Sequence, residues 1–171
     1  DDLNYLQVVE EARQELINTS HCFIADYLAQ QREIKRLKIL ATHDPLTKVH
    51  NYQKFSDELD SELERVRRTG GRFSCCFVDI DDFKSVNDSH GHLVGDRVLQ
   101  IIAEHLKENV RKYDVVARYG GDEFALIMPE LSEQKAYQAM ERIRKSIAKT
   151  PIQVNGLSIT VTVSCGVFCV S

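Results

Sequence analysis

Residues 1–41 contain neither glycine nor proline, and Ile17, Ser20, Ile24, Tyr27, Gln31, Ile34, Lys38 and Ala41 recur at three–four spacing with Leu16, Phe23 and Leu37 beside them. That period predicts one long helix. Its seam is an imperfect heptad, polar at several core positions. It suits a coiled-coil stalk formed with a second copy, or an amphipathic helix packed on its own domain. The helix is expected to stop near His43-Asp44-Pro45, because the residue before a proline disfavours the αR region. The chain thus divides into a stalk, 1–43, and a domain, 44–171.

Beyond a short loop from Leu46 to His50, a second helix is marked by the stripe Phe55, Leu59, Leu63 and Val66, and Thr69-Gly70-Gly71 ends it. Phe73 to Asp79 is apolar on both faces, as a central strand should be. Val94 to Val110 reads as a helix with Val98, Ile102 and Leu106 on one side. Two β-like runs follow, Asp114 to Tyr119 and Phe124 to Met128, and then a helix on Ala136, Met140, Ile143 and Ile147. Asn155-Gly156 is a turn signal. Ile159, Val161, Val163 and Cys165 alternate with Thr160, Thr162 and Ser164 in a half-buried strand. The order βαββαβ predicts an α+β, ferredoxin-like antiparallel sheet with helices on one face.

A length of 171 residues suffices for one buried core plus an appendage. With 43% hydrophobic and 28% charged residues the chain reads as globular. A net charge of −4 and the lack of a basic stripe give no case for nucleic-acid binding. The five cysteines (Cys22, Cys75, Cys76, Cys165, Cys169) are odd in number, and four lie in apolar strand-like runs. Buried reduced thiols are expected, hence a cytoplasmic domain whose parent protein is membrane-linked, if at all, outside this segment.

Two segments carry candidate chemistry. In Arg118-Tyr119-Gly120-Gly121-Asp122-Glu123-Phe124, paired glycines between β-like runs predict a hairpin turn that uses their tolerance of positive φ. Two carboxylates sit at its exit. In Asp79-Ile80-Asp81-Asp82-Phe83-Lys84 a buried strand ends in three acids, which is costly unless something compensates the charge. In a split βαβ arrangement the first and third strands are antiparallel neighbours, so Asp79 comes beside Asp122.

A divalent cation would resolve the repulsion, with Mg²⁺ taking carboxylates, the Ile80 carbonyl, water and substrate phosphates. Lys84 and the N–H groups of a Phe83–Lys84 turn suit phosphate oxygens. Asn87, His92 and Asp96 suit a base edge, since a carboxylate accepts from N1–H and N2–H of guanine. Each residue also has a plainer reading: an acidic surface hairpin, turn or capping residues at Asn87 and Asp88, a helix-dipole partner at Asp96, a surface histidine at His92.

Together these residues resemble the GGDEF domains, the catalytic modules of diguanylate cyclases. The resemblance covers Asp44-Pro45-Leu46-Thr47, His50-Asn51, the Asp79–Asp96 block, Arg118–Phe124 and Thr162-Val163-Ser164-Cys165-Gly166-Val167. It implies a palm-type fold related to nucleotidyl cyclases and a Mg²⁺-dependent (alternatively Mn²⁺-dependent) condensation of two GTP into cyclic di-GMP and pyrophosphate. Asp79, the Ile80 carbonyl and Asp122 would hold metal. Asp122, Glu123 and Lys84 would be catalytic. Phe83, Lys84, Asn87, His92 and Asp96 would bind substrate.

A homodimer is implied, because each domain holds one GTP, as is control by an upstream sensor through the N-terminal helix. Arg111 and Asp114 match the family's product-inhibition site for cyclic di-GMP, with Arg142 completing it; the plainer alternative is a surface ion pair. Lys48 replaces the family's usual glycine, and Tyr52 and Gln53 its usual arginine pair. The family also continues past Ser171 through a further helix, so the domain reads as lacking its C-terminal part, with inactivity of this segment alone one expected outcome. A non-catalytic receptor for GTP or cyclic di-GMP is the alternative.

Overall fold

The computed structural model describes residues 2–154 and 156–171; within the first helix it describes the side chains of residue 10, residues 13–15 and residue 20 onward. The chain forms two units that meet in sequence between Ala41 and Thr42. The first is helix α1 (Asp2–Thr42), about 60 Å long at 1.5 Å per residue. It ends two residues short of Asp44, as the restriction before Pro45 requires. Ile24, Tyr27, Phe23 and Leu37 are each more than half exposed along it, and Ile34 is 40% exposed. The side chains of Leu16 and Ile17 lie outside the described residues, as does Asn155 of the predicted Asn155-Gly156 turn.

The second unit runs α2 (Tyr52–Thr69), β1 (Phe73–Ile80), α3 (Phe83–His90), α4 (His92–Glu108), β2 (Val115–Arg118), β3 (Glu123–Pro129), α5 (Glu133–Lys149), β4 (Ile152–Val154), β5 (Leu157–Ile159) and β6 (Val163–Val170). The main sheet has the order β2-β3-β1-β6, every pair antiparallel. This is the α+β, palm-type arrangement that the pattern predicts, with β1 central.

Helix α2 starts because the Asn51 side chain accepts the Lys54 N–H at 2.9 Å. It stops because Gly70 turns left-handed at φ +66° and returns its N–H to the Val66 carbonyl.

The helices cover both faces of the sheet, not one. Cys76, Val78 and Ile80 of β1 pack with Val98, Ile102 and Leu106 of α4 and Met140 and Ile143 of α5. The intervening Phe73 and Cys75 face the other way, onto Phe55 and Val66 of α2 together with Ala117, Ala125 and Ile127. A central strand apolar on both faces demands a cover on each, and α2 supplies the second.

Two further departures have local causes. The predicted strand around Ile159–Cys165 is split between the β4–β5 hairpin and β6. Its alternation hides the break, because Val161 and Val163 are both buried across the connecting residues. An additional helix, α3, occupies residues expected to be turn.

Lys48 sits in the Asp44–Val49 turn at φ +61°. Its N–H donates to the Asp44 carbonyl at 3.0 Å. A left-handed conformation costs a non-glycine residue roughly 1 kcal/mol, which fits the glycine that the resemblance leads one to expect here. Lys48→Gly is expected to raise the unfolding free energy in urea by up to about 1 kcal/mol, the relief being partly offset by glycine's unfolded-state entropy. A net loss would show that the Lys48 Nζ to Pro45 carbonyl bond at 2.5 Å outweighs the strain.

Candidate active site

The β1–β3 register places Asp79 opposite Glu123. One step further, the Ile80 N–H approaches the Asp122 carbonyl at 3.4 Å. Asp79, Ile80, Asp122 and Glu123 therefore gather at one end of the sheet, where β1 leaves it and β3 enters. Burial pushes the Asp79 carboxyl above its ordinary value, and the negative charges of Asp122 and Asp81 push it further in the same direction.

Hard oxygen donors that repel one another suit a divalent cation. Among the described residues no cluster of three or more His, Cys, Asp or Glu side chains forms a closed metal cage. A Mg²⁺ site built from one or two carboxylates and completed by water and phosphate oxygens does not require one.

The glycine pair works differently from the expectation. Neither Gly120 nor Gly121 has positive φ, and the connection is a loop in which the Tyr119 and Gly120 N–H groups both donate to the Glu123 carbonyl, at 2.8 and 3.2 Å. Gly120 leaves room for the Glu123 side chain: a Cβ there would lie 2.5 Å from Glu123 Oε2 and displace that carboxylate. Gly121 contributes its carbonyl, which accepts from Arg118 Nη2 at 2.6 Å and Nε at 3.1 Å.

Arg118 also reaches Asp44, Nη1 to Oδ1 at 3.3 Å. Asp44 Oδ1 further accepts from the Thr47 N–H at 2.8 Å and hydroxyl at 2.7 Å. Burial alone would push the Asp44 carboxyl up, but the Thr47 bonds and the Arg118 charge more than offset it and hold it below the ordinary value. The sequence strings contain Asp44, Thr47 and Arg118, but nothing in their spacing reveals that they form one tie.

The three acids after β1 part company. Asp79 faces the hairpin. Asp81 accepts hydroxyl protons from Thr162 (Oγ1 to Oδ2, 2.5 Å) and Ser164 (Oγ to Oδ1, 2.6 Å). Asp82 caps α3 at φ +53°. Phe83 and Lys84 open α3, rather than forming an isolated turn, with Phe83 buried and Lys84 exposed. As the first two helical residues they offer amides that have no partner within the helix.

Asn87 and Asp88 lie inside α3, and Gly91, at φ +83°, turns the chain into α4. The Asn87 amide lies over Gly95, where a Cβ would come within 2.0 Å of its Oδ1. Asp96 follows directly, half-buried, and borders a cavity of about 480 Å³ with Leu93 and Arg97. The structure thus sets Asn87 against Gly95 of α4, while the cavity that Asp96 borders is not lined by Asn87. His92 is exposed at the first position of α4.

Arg111, Asp114 and Arg142 line a separate cavity of about 550 Å³. The expected alternative of a surface ion pair is not what forms. The Arg111 backbone N–H donates to Asp114 Oδ2 at 2.8 Å, while its guanidinium donates to the Tyr113 hydroxyl at 3.1 Å. Asp114 Oδ1 is buried without a hydrogen-bond partner, and burial raises the carboxyl's pKa. Arg142 reaches across from α5 to the Asn109 carbonyl at 2.9 Å.

Arg118→Ala is expected to cost about 1–3 kcal/mol, since it leaves the partly buried Asp44 carboxylate and the Gly121 carbonyl short of donors. Arg118→Lys is expected to restore little, because one ammonium cannot reproduce the guanidinium fork. The folded-state pKa of Asp44 being depressed, its contribution is present above the unfolded value near 3.8 and disappears as pH falls through the lower folded value. Urea titrations of both variants at pH 7 and at acid pH, beside the parent, check this.

The model of the family described as diguanylate cyclase, GGDEF domain, matches residues 41–171. Diguanylate cyclase DgcP of Pseudomonas aeruginosa is 41% identical over 135 residues, which is 79% of this chain and 20% of that protein. Response regulator PleD of Caulobacter vibrioides is 42% identical over 130 residues, 75% of this chain and 29% of that protein. The chain thus spans about a fifth to under a third of these two relatives.

Among solved structures, the coiled coil and GGDEF domain of DgcB from Caulobacter crescentus, in complex with c-di-GMP, superposes with TM-score 0.80 at 28% identity, covering 86% of this chain and 78% of that one. Diguanylate cyclase SiaD from Pseudomonas aeruginosa, in complex with its activator SiaC, gives TM-score 0.75 at 33% identity, covering 98% of this chain and 66% of that one. With this site at the end of β1 and a family match over most of its length, the chain belongs to the GGDEF diguanylate cyclase family.

Proposed function

We propose that the protein containing this chain is a diguanylate cyclase that condenses two GTP into cyclic di-GMP and pyrophosphate in a cytoplasmic homodimer. The observation that carries this reading is the meeting of Asp79, the Ile80 backbone and Asp122 at the β1–β3 end, next to the first amides of α3. Asp79, the Ile80 carbonyl and Asp122 would hold Mg²⁺, or Mn²⁺ in its place. When bound, the ion would offset phosphate charge and help activate the attacking oxygen.

Lys84 and the amides of Phe83 and Lys84 cradle triphosphate oxygens. Asn87, held against Gly95, and Asp96 read the guanine edge, with His92 at the rim. Asp122 accepts the proton of the attacking 3′-hydroxyl, while Glu123 supports the metal site. The 3′-oxygen of each GTP attacks the α-phosphate of the GTP held by the other domain, the bond from that phosphorus to the bridging oxygen breaks and pyrophosphate leaves, so that two displacements close the ring and release two pyrophosphates.

Helix α1 supports the dimer. Its described apolar positions, Ile24, Tyr27 and Ile34, follow the heptad seam and are exposed in the single chain, which suits a parallel coiled coil that carries a signal from an upstream sensor. Arg111, Asp114 and Arg142 would bind cyclic di-GMP as inhibitor. The orphan Asp114 oxygen supports this, being an acceptor that awaits a donor such as guanine N–H.

The full-length protein incubated with GTP and Mg²⁺ is expected to release cyclic di-GMP and pyrophosphate. Asp122→Ala should lower kcat by about two orders of magnitude or more while the fold stays intact. Tight GTP binding without turnover at high protein concentration would instead make it a receptor. Ile24→Asp with Ile34→Asp should lower dimerisation, measured by sedimentation, and activity together; full activity in a monomer would contradict the coupling.

A further inference from the structure

We propose that Asp81 is a positioning residue: it clamps the start of β6 to the end of β1 and so sets the direction of the phosphate-facing first turn of α3. This rests on the proposed nucleotide site. Asp81 belongs to a run of three acids that, on charge alone, could all be assigned to a metal. Its geometry says otherwise. Both carboxylate oxygens already accept hydroxyl protons, from Thr162 at 2.5 Å and Ser164 at 2.6 Å, the range of strong O–H···O⁻ bonds. Its backbone N–H donates to the Thr162 carbonyl at 3.0 Å.

The last paired residues of the β1–β6 ladder are Ile80 and Val163. Asp81 and Thr162 are the next residue on each side, so the clamp closes the open end of the ladder. It also pulls the Ser164 hydroxyl, which stands opposite Asp79 in the register, onto Asp81 and away from the Asp79 carboxylate.

The effect is directional. The very next residue, Asp82, turns left-handed at φ +53°, and α3 begins at Phe83. A left-handed residue changes the heading of the chain sharply, so the peptide before it must be fixed if the amides after it are to point one way. The three bonds hold Asp81 through its carboxylate and through the N–H of the Ile80–Asp81 peptide, and so fix the residue from which that peptide leaves. Nothing else among the hydrogen bonds of the described residues ties the β1–α3 connection to β6. In this scheme the metal receives Asp79 and Asp122, and Asp81 acts only through the turn.

The test compares, in the full-length protein, Asp81→Ala, the pair Thr162→Val with Ser164→Ala, and all three changes together. A clamp requires the first two to behave alike and the third to be no worse than either. Each should raise the KM for GTP about fivefold or more and lower kcat less, and each should speed amide hydrogen exchange at residues 80–84 while most of the domain keeps its protection. Asp81→Asn, which can still accept from one hydroxyl and donate to the other, should recover part of the loss.

If the hydroxyl pair behaves as the parent in both measurements while Asp81→Ala is impaired, the clamp is wrong and Asp81 acts elsewhere. Unchanged exchange at residues 80–84 in Asp81→Ala would also overturn it. A parent protein that does not turn over GTP would count against the functional reading, and the exchange comparison would still decide the clamp.

Discussion

The candidate site depends on one constraint, the antiparallel register between β1 and β3. Strand pairing is specified in steps of two residues, because a slip of one would send every buried side chain of β1 to the wrong face. Here Cys76, Val78 and Ile80 must meet α4 and α5 while Phe73 and Cys75 meet α2. Satisfying both cores excludes every odd slip, and the register the strands adopt sets Asp79 against Glu123 and the Ile80 N–H near the Asp122 carbonyl. Hydrophobic packing thus brings acidic residues together, and burial first, then the charges of Asp122 and Asp81, push the Asp79 carboxyl above its ordinary value. A cation held there, as proposed, would be the electrostatic counterpart of a well-packed sheet.

Around that constraint, single polar residues fix the loops. Arg118 joins the Asp44–Val49 turn to the Gly121 carbonyl, so the segment that follows α1 in sequence and the loop carrying Asp122 share one guanidinium. Asn87 uses the space left by Gly95, and Asp81 closes the β1–β6 ladder. These ties are short and local, and each involves a residue whose neighbours in sequence face the proposed nucleotide. They explain how a sheet end made largely of loop and helix termini can hold a defined geometry.

Much of this was legible in the amino-acid pattern. The helix limits near Thr42 and Thr69, the central β1 and the pairing of Asp79 with the hairpin all followed from periodicity, proline and glycine rules, and the order βαββαβ. What was not legible depended on three dimensions. The glycine pair predicts positive φ, yet neither glycine adopts it: one gives room to Glu123 and the other offers a carbonyl, while Lys48 and Asp82 are among the described residues that turn left-handed. A strand apolar on both faces implies a second covering layer, and α2 supplies it, although βαββαβ order alone suggested helices on one side. The run Asp79–Asp82 reads as one acidic cluster because the sequence cannot show that Thr162 and Ser164, some eighty residues later, take one of its members.

The most direct measurement of the central claim is Mn²⁺ binding in the presence of a non-hydrolysable GTP analogue, followed by electron paramagnetic resonance. The parent protein should bind the ion with the nucleotide. Asp79→Asn and Asp122→Asn should each weaken that binding by tenfold or more, and the double variant should be little worse than the weaker single one, as expected for two ligands of a shared ion. Parent-like Mn²⁺ affinity in both single variants would contradict the account, since the register would then bring the two carboxylates together without making a metal site.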